Sequence, residues 1–210
     1  NGPGIHPKSV DKVFGSLLFG SRFHTIRQTR GQQGIGITGV VMYCQLTTGK
    51  PVHVISKVSS EATVVHLNIG LDTKKNKAIS SNRKRDHWYD AEGVEIPHGV
   101  RIESHMKAKY QRGKKSVHQY LRMTSIVNPH ASITFRVVDE GGSVIEQGGW
   151  PRVTDVLPRP VKEIRPHPHG MEIGSLQRFL RGSDERKMTS FLRHNFSGIS
   201  MRAARAILET

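Results

Sequence analysis

An α/β fold with helices packed on a sheet, followed by a small all-helical module, is what this sequence predicts, and three observations predict it. Apolar residues alternate at a period of two in short stretches between residues 52 and 150. These stretches are interleaved with segments whose apolar residues fall three and four apart, the layering of an α/β domain. At Trp150 the composition shifts: Pro151, Pro158, Pro160, Pro166 and Pro168 crowd a stiff linker, and purely helical spacing follows.

Taken in order, Val10, Val13, Phe14, Leu17 and Leu18 stand at helical spacing, so residues 7–19 form a short amphipathic helix ended by Gly20. A polar, basic connector follows from Arg22 to Gly31. A glycine-punctuated loop then runs into the apolar stretch 37–46, a buried helix stopped by Thr47-Thr48-Gly49-Lys50-Pro51. Val52 and Val54, then Leu67, Ile69 and Leu71, alternate as strands. From Asp72 to Glu95 the chain is polar and basic and reads as a long hairpin or surface excursion anchored by Trp88. Val100, Ile102, Ser104 and Met106 alternate as a further strand, and Val117, Tyr120, Leu121 and Thr124 mark a helix. Residues 131–138 form a strand with Ile133, Phe135 and Val137 on one face, and Glu140-Gly141-Gly142-Ser143 turns into Val144-Ile145. Beyond the linker, Leu176, Phe179 and Leu180, then Met188, Phe191 and Leu192, then Ala203, Ala204, Ile207 and Leu208 predict three short helices, with a break at Gly198. The expected division is a layered domain at 1–155, a linker at 156–170 and the helical module at 171–210.

At 210 residues the chain is long enough to bury a hydrophobic core. It carries 32 Lys and Arg against 17 Asp and Glu, a formal charge of +15, so a polyanion such as nucleic acid is the natural partner. A solvated basic face in a salt- or acid-adapted cell is the other reading, and charge alone does not separate the two. Cys44 is the single cysteine, which excludes an intrachain disulfide and a thiolate metal cage and predicts a reducing, cytoplasmic setting. No apolar run reaches bilayer length and no leader precedes the fold, so a soluble protein with no membrane partner is expected. The opening residue Asn1 lies inside a turn-rich run, so both ends are expected to be cuts in a longer protein.

The run Arg30-Gly31-Gln32-Gln33-Gly34-Ile35-Gly36 leads directly into the 37–46 helix. Glycines at these positions let the backbone turn sharply and bring unshielded N–H groups toward a ligand, and the helix N-terminus behind them favours an anion. Phosphate binding is one use of such a run; a plain tight loop is the other.

Further motifs extend the pattern: Asn1-Gly2-Pro3-Gly4, Phe14-Gly15, Phe19-Gly20-Ser21-Arg22-Phe23-His24 and Gln28-Thr29-Arg30-Gly31-Gln32-Gln33-Gly34-Ile35-Gly36. Together they resemble the ATP site shared by gyrase, heat-shock chaperones, mismatch-repair proteins and histidine kinases, the GHKL group. Within that group the similarity is to the archaeal-type topoisomerase VI B-subunit family. Leu46-Thr47-Thr48-Gly49-Lys50-Pro51, Ile126-Val127-Asn128-Pro129-His130-Ala131 and Lys162-Glu163-Ile164-Arg165-Pro166-His167-Pro168-His169-Gly170 look like the same family, in the same order along the chain.

The resemblance implies a Bergerat-type fold, an α+β two-layer sandwich in which a mixed sheet backs onto helices, followed by the start of a helix-two-turn-helix module. It implies ATP and Mg2+ as cofactors. By position, Ser21 and Arg22 would lie beside the nucleotide, and Gly31, Gln32, Gln33, Gly34, Ile35, Gly36, Ile37 and Thr38 would form the lid that holds the phosphates. Asn1, Gly2 and Gly4 match the end of the motif whose preceding Asp recognises adenine, and Gly99 belongs to the third glycine motif, His98-Gly99-Val100-Arg101-Ile102. Val100 departs from the family there, standing where Thr usually places a hydroxyl beside adenine. The water-activating Glu and the magnesium-holding Asn are expected upstream, so no catalytic residue and no metal ligand is assigned in this chain.

Two basic groups are candidates for DNA contact. Lys74, Lys75, Lys77, Arg83, Lys84 and Arg85 are interleaved with His87, Trp88 and Tyr89, which can flank a backbone, although a solvated loop has the same composition. Arg178, Arg181, Arg202 and Arg205, with Arg186, Lys187 and Arg193, lie on the helical module, where the resemblance to DNA-binding helix-two-turn-helix modules makes them candidates for phosphate contact, solubility being the other reading. His167-Pro168-His169-Gly170 reads as a docking linker rather than a metal site, and Cys44 as a small buried hydrophobe.

What the resemblance implies as a whole is the ATP-binding subunit of a type IIB DNA topoisomerase, an isomerase that closes as a B-subunit homodimer on ATP and passes one DNA duplex through another. Its partners would be double-stranded DNA and an A subunit carrying the strand-cutting tyrosine, in a cytoplasmic, nucleoid-associated setting. The alternatives are a nucleotide-independent DNA-binding or assembly module that keeps the fold, and another GHKL ATPase of gyrase or mismatch-repair type.

Overall fold

The computed structural model describes residues 2–20, 31, 33–162 and 164–209. They form two compact units, Asn1–Phe19 with Gly34–Arg159, and Gly20–Gln33 with Pro160–Thr210. In the first unit the elements run α1 (Val10–Gly15), α2 (Gly36–Thr48), β1 (Val52–Lys57), β2 (Val64–Asp72), β3 (Lys77–Asp86), β4 (Gly99–Glu103), α3 (Val117–Val127), β5 (Ile133–Val138) and β6 (Val144–Trp150).

The first four strands make one sheet in the order β3-β2-β1-β4, and every pairing is antiparallel. The mixed sheet implied by the family resemblance is therefore not what these strands form. The connections at 58–63 and 73–76 are too short for the crossover that parallel neighbours require, so β2 folds back on β1 and β3 on β2, while β4 returns to the free edge of β1. Alternation along β1 and β2 decides which face is buried. Val52, Val54, Val65, Leu67, Ile69 and Leu71 join Val10, Phe14, Val41 and Cys44 in one core under α1 and α2. Cys44 is fully buried there, as a small hydrophobe should be.

The predicted α2 is realised and extended at both ends, closing on Gly49, whose φ of 70° supplies a left-handed cap with its N–H donating to Gln45 O. Helix α1 is shorter than the predicted 7–19. Gly15 abuts Ala78 of β3 so closely that a Cβ there would collide, and Asn76 in the β2–β3 turn then takes over the chain. Its Oδ1 accepts from Leu17 N–H (2.8 Å), and a tertiary partner replaces the next helical bond. Strand β4 likewise stops at Glu103 instead of reaching Met106. Its partner β1 begins beside Pro51, which has no N–H to offer, and the following residues serve α2 instead. Thr48 Oγ1 donates to His105 O (3.0 Å), and Tyr43 OH to Lys107 O (3.1 Å).

The hairpin expected within 72–95 is instead the pair β2–β3, whose first strand lies before residue 72; β3 is an exposed edge strand, and Trp88 is half-buried where its carbonyl accepts from Ile96 N–H (2.7 Å). Strands β5 and β6 pair antiparallel and carry α3 on one face, where His118 lies against Phe135 and Trp150 with ring centroids 5.8 and 5.3 Å away. Ser116 caps α3 by accepting from Gln119 N–H (3.1 Å).

The second unit holds α4 (Ile173–Arg181), α5 (Met188–Asn195) and α6 (Met201–Leu208), the three predicted helices. Among its described residues Phe191, Phe196 and Ala204 are buried, and the two rings meet edge to face at 5.9 Å. Gly198 breaks the chain before α6 with φ 75°, and Ser200 caps that helix by accepting from Ala203 N–H (3.2 Å).

Candidate functional site

The predicted nucleotide-site residues fall into separate groups in the structure. Asn1, Ser21, Arg22 and Gln32 lie outside the described residues. Gly31 and Gln33 are exposed and group with the second unit, whereas Gly2, Gly4, Gly34, Ile35, Gly36, Ile37, Thr38 and Gly99 belong to the first.

One group forms around α2. Gly34 has φ 62°, and a Cβ on it would stand 2.5 Å from the carbonyl oxygen of Phe19, so glycine is required there on both counts. Two residues later α2 begins at Gly36, which faces open space. Its N-cap residue is Ile35, with no side-chain hydrogen bond to the first turn and no acidic residue within it. Most helices satisfy these amides with a Ser, Thr, Asp or Asn cap. Among the described residues no side chain caps these amides, and the helix dipole favours an anion. Thr38 is buried and donates from Oγ1 to Ser16 O (3.3 Å), tying the helix start to the exit of α1. Its hydroxyl is therefore committed to the fold.

A second group joins residues almost one hundred positions apart. His98 Nδ1 and Gly2 O are 2.8 Å apart, and since a carbonyl only accepts, the ring nitrogen is the donor. Gly4, at φ 77°, lies so close to the Lys57 carbonyl that any side chain would collide. The buried Ser56 accepts at Oγ from Ile5 N–H (2.8 Å) and donates to Ile5 O (2.9 Å). Ser56 and Val100 are cross-strand partners, as are Lys57 and Gly99. Gly2, Gly4 and Gly99, drawn from two motifs, are thus brought together, and Val100 packs against the core. Sequence reading named His98 only as the start of a motif and Ser56 not at all, because their partners are backbone atoms.

On the far face of the sheet, Lys57 is buried and its Nζ donates to Glu95 at 2.5 Å. That bond, with the charge behind it, holds the Glu95 carboxyl below its ordinary range. His53 and His66 sit on the same face with ring centroids 5.7 Å apart, and His53 Nδ1 meets Asn68 Oδ1 at 2.7 Å. Burial, with the neighbouring His53, lowers the His66 pKa. The only sequence signal for this pair is polar residues at alternate positions of otherwise apolar strands. Next to α3, Glu146 accepts from Tyr110 OH and Arg112 Nε, both at 2.9 Å. These bonds lower the Glu146 pKa, while burial and the carboxylate raise that of Tyr110.

The DNA candidates are exposed, but they do not form one stripe. Lys74 and Lys75 lie in the β2–β3 turn, whose amides are held by Asp72. On β3, Lys77 and Lys84 pair with Asp72 and His66 on the far face, whereas Arg85 pairs with Val65 on the helix side. Arg83 is engaged by Pro7 O (3.4 Å) and Arg85 by Glu61 (3.2 Å). In the second unit, Arg178 and Arg181 lie on α4, Arg202 and Arg205 on α6, and Arg193 lines an open groove of about 1050 Å³ with Arg165, Phe196 and Ser197. His167 and His169 stack at 5.3 Å, and His167 Nδ1 accepts from His169 N–H (3.3 Å). Among the described residues no three metal-ligating side chains converge, and no helix is long and apolar enough to cross a membrane.

No family model matches the chain. Whole proteins do. The chain is 44% identical over 209 residues to the B subunit of type 2 DNA topoisomerase 6 from Archaeoglobus fulgidus, an alignment covering 99% of this chain and 33% of that protein. It is 44% identical over 208 residues to the same subunit from Methanococcoides burtonii, covering 99% and 32%. For the one from Natronomonas pharaonis the identity is 39% over 210 residues, covering 100% and 25%. The chain thus spans a quarter to a third of the length of these curated relatives.

Proposed function

Because this chain is homologous along its whole length to part of the type 2 DNA topoisomerase 6 B subunit, we propose that it supplies the phosphate-holding half of an ATP site in such a protein. The observation that carries this reading is the uncapped start of α2 behind a glycine whose conformation and crowding allow no side chain. Nothing within the first turn competes for the amides, so the γ- and β-phosphates of ATP, with Mg2+, are the acceptor they fit. On this reading Gly34, Ile35, Gly36 and Ile37 present the amides, and Gly2, Gly4 and Gly99 form the base side.

In the complete protein, nucleotide binding would close a dimer of B subunits and gate one duplex through another that the A subunit has cut. The water-activating carboxylate belongs to a part of the protein outside this chain. The net charge of +15 supports duplex DNA as the polyanion, met through phosphates, since the exposed cations are spread over loops, an edge strand and helix faces rather than one base-reading element. Val100, apolar where the family has a hydroxyl, favours the alternative of a nucleotide-independent assembly module.

Gly36→Val in the full-length protein separates the readings, because position 36 has room for a side chain without strain. ATP affinity, measured by equilibrium binding with magnesium, is expected to fall about tenfold or more while the melting temperature holds. Unchanged affinity removes the loop from the site. DNA affinity should drop steeply with salt and vary little with base sequence; a nearly salt-independent affinity removes the electrostatic account.

A further inference from the structure

We propose that His98, together with Ser56, positions the segment at residues 2–5 so that the base side of the nucleotide site keeps its shape without a hydroxyl at position 100. This rests on the ATP-site reading above. The segment is held at three contact points, all delivered by β1 and the residue leading into its neighbour β4. His98 takes the carbonyl of Gly2, the backbone of Lys57 closes on Gly4, and Ser56 binds both the N–H and the C=O of Ile5. Ser56 is fully buried and lies directly across from Val100, while His98 stands two residues before it.

Val100 contributes no polar side-chain atom to this arrangement; its isopropyl group packs on the core and leaves the segment to its neighbours. A site that loses one hydroxyl still discriminates a base if the backbone beside it is fixed, because a preorganised segment has less to order when ligand binds. The phosphate side is built from other residues, the start of α2, so the two halves of the ligand can be perturbed separately. His98 is a positioning residue: it reaches a backbone carbonyl of the site, not the ligand.

The test uses the full-length protein and two probes, ATP and inorganic tripolyphosphate, each with magnesium. His98→Leu removes the donor, whereas His98→Asn keeps an N–H donor on the atom bonded to Cγ, where Nδ1 now sits. The Leu variant is expected to bind ATP about tenfold more weakly with tripolyphosphate affinity unchanged, and the Asn variant to recover most of the loss. Ser56→Ala should weaken ATP in the same selective way. Retained tripolyphosphate binding also shows that each variant is folded. Equal weakening of both probes, ATP affinity indifferent to His98→Leu, or failure of Asn to restore it, would each overturn the proposal. An unmodified protein that binds tripolyphosphate but not ATP overturns it while sparing the phosphate-site reading, and one that binds neither defeats both.

Discussion

The two sheets of the first unit are built on the same alternating pattern and reach very different depths. In the four-stranded sheet, Val52, Val54, Leu67 and Ile69 have no exposed surface, because α1 and α2 cover the face they share. In the two-stranded sheet, Ile133, Phe135 and Val137 alternate just as regularly yet remain half-buried, and α3 above them has no buried residue between its caps. A regular alternation therefore says which face turns inward, while the number of strands and covering helices sets how much water is excluded. The first region rests on apolar packing and the second on contacts among His118, Phe135, Trp150 and the Tyr110–Glu146–Arg112 cluster.

The contrast is broken most directly in the two cores. Leu67→Ala should cost about 2–5 kcal/mol, as removal of a fully buried aliphatic side chain does, and lower the denaturant midpoint accordingly. Val138→Ala, on the exposed side of β5, should stay within about 0.5 kcal/mol. Equal losses at the two positions would show that the sheets share one cooperative core.

A smaller effect separates two glycines within the first region. Gly34→Ala forces a side chain onto a left-handed backbone against Phe19 and should cost about 1–3 kcal/mol. Gly36→Ala, at an open helix start, should stabilise by up to about 1 kcal/mol. Urea titrations of the two variants read the difference, and a destabilised Gly36→Ala protein would contradict the geometry given for the α2 start.

Acid distinguishes the regions next. Glu95 and Glu146 both have folded pKa values below the ordinary 4.5, so the stability they confer is present above that value and lost as pH falls through the lower folded one. Glu146 is the better shielded, with two donors on one oxygen and a side chain 16% exposed against 46% for Glu95. Glu146→Gln should therefore flatten the acid limb more than Glu95→Gln, read as local amide exchange in β6 and beside Lys57. The smallest effect belongs to His66. Its folded pKa lies below 6.5, so the unfolded chain takes up the proton first, and stability declines as pH drops from 6.5 toward the folded value. His66→Asn should abolish that decline in melting temperature; a decline unchanged in the variant would assign it elsewhere.

The order of nearly every element was legible in the residues alone, as were the inward-turned faces of β1, β2 and β5, the buried state of Cys44 and the three helices after the prolines. All of these follow from local periodicity and from where Gly and Pro interrupt it. The glycine run before α2 could be read for the same reason, since the need for φ above zero at Gly34 is a property of one residue. Where α1 and β4 stop is instead a tertiary outcome, because Asn76 in a distant turn and the end of β1 supply or withdraw the hydrogen-bonding partners. Folding in three dimensions likewise makes the four strands all antiparallel, sends Lys84 and Arg85 to opposite faces, and brings Gly2 to His98. Each of these depends on strand register and on backbone atoms far apart in the chain, and side-chain type carries no record of a partner that is a carbonyl oxygen.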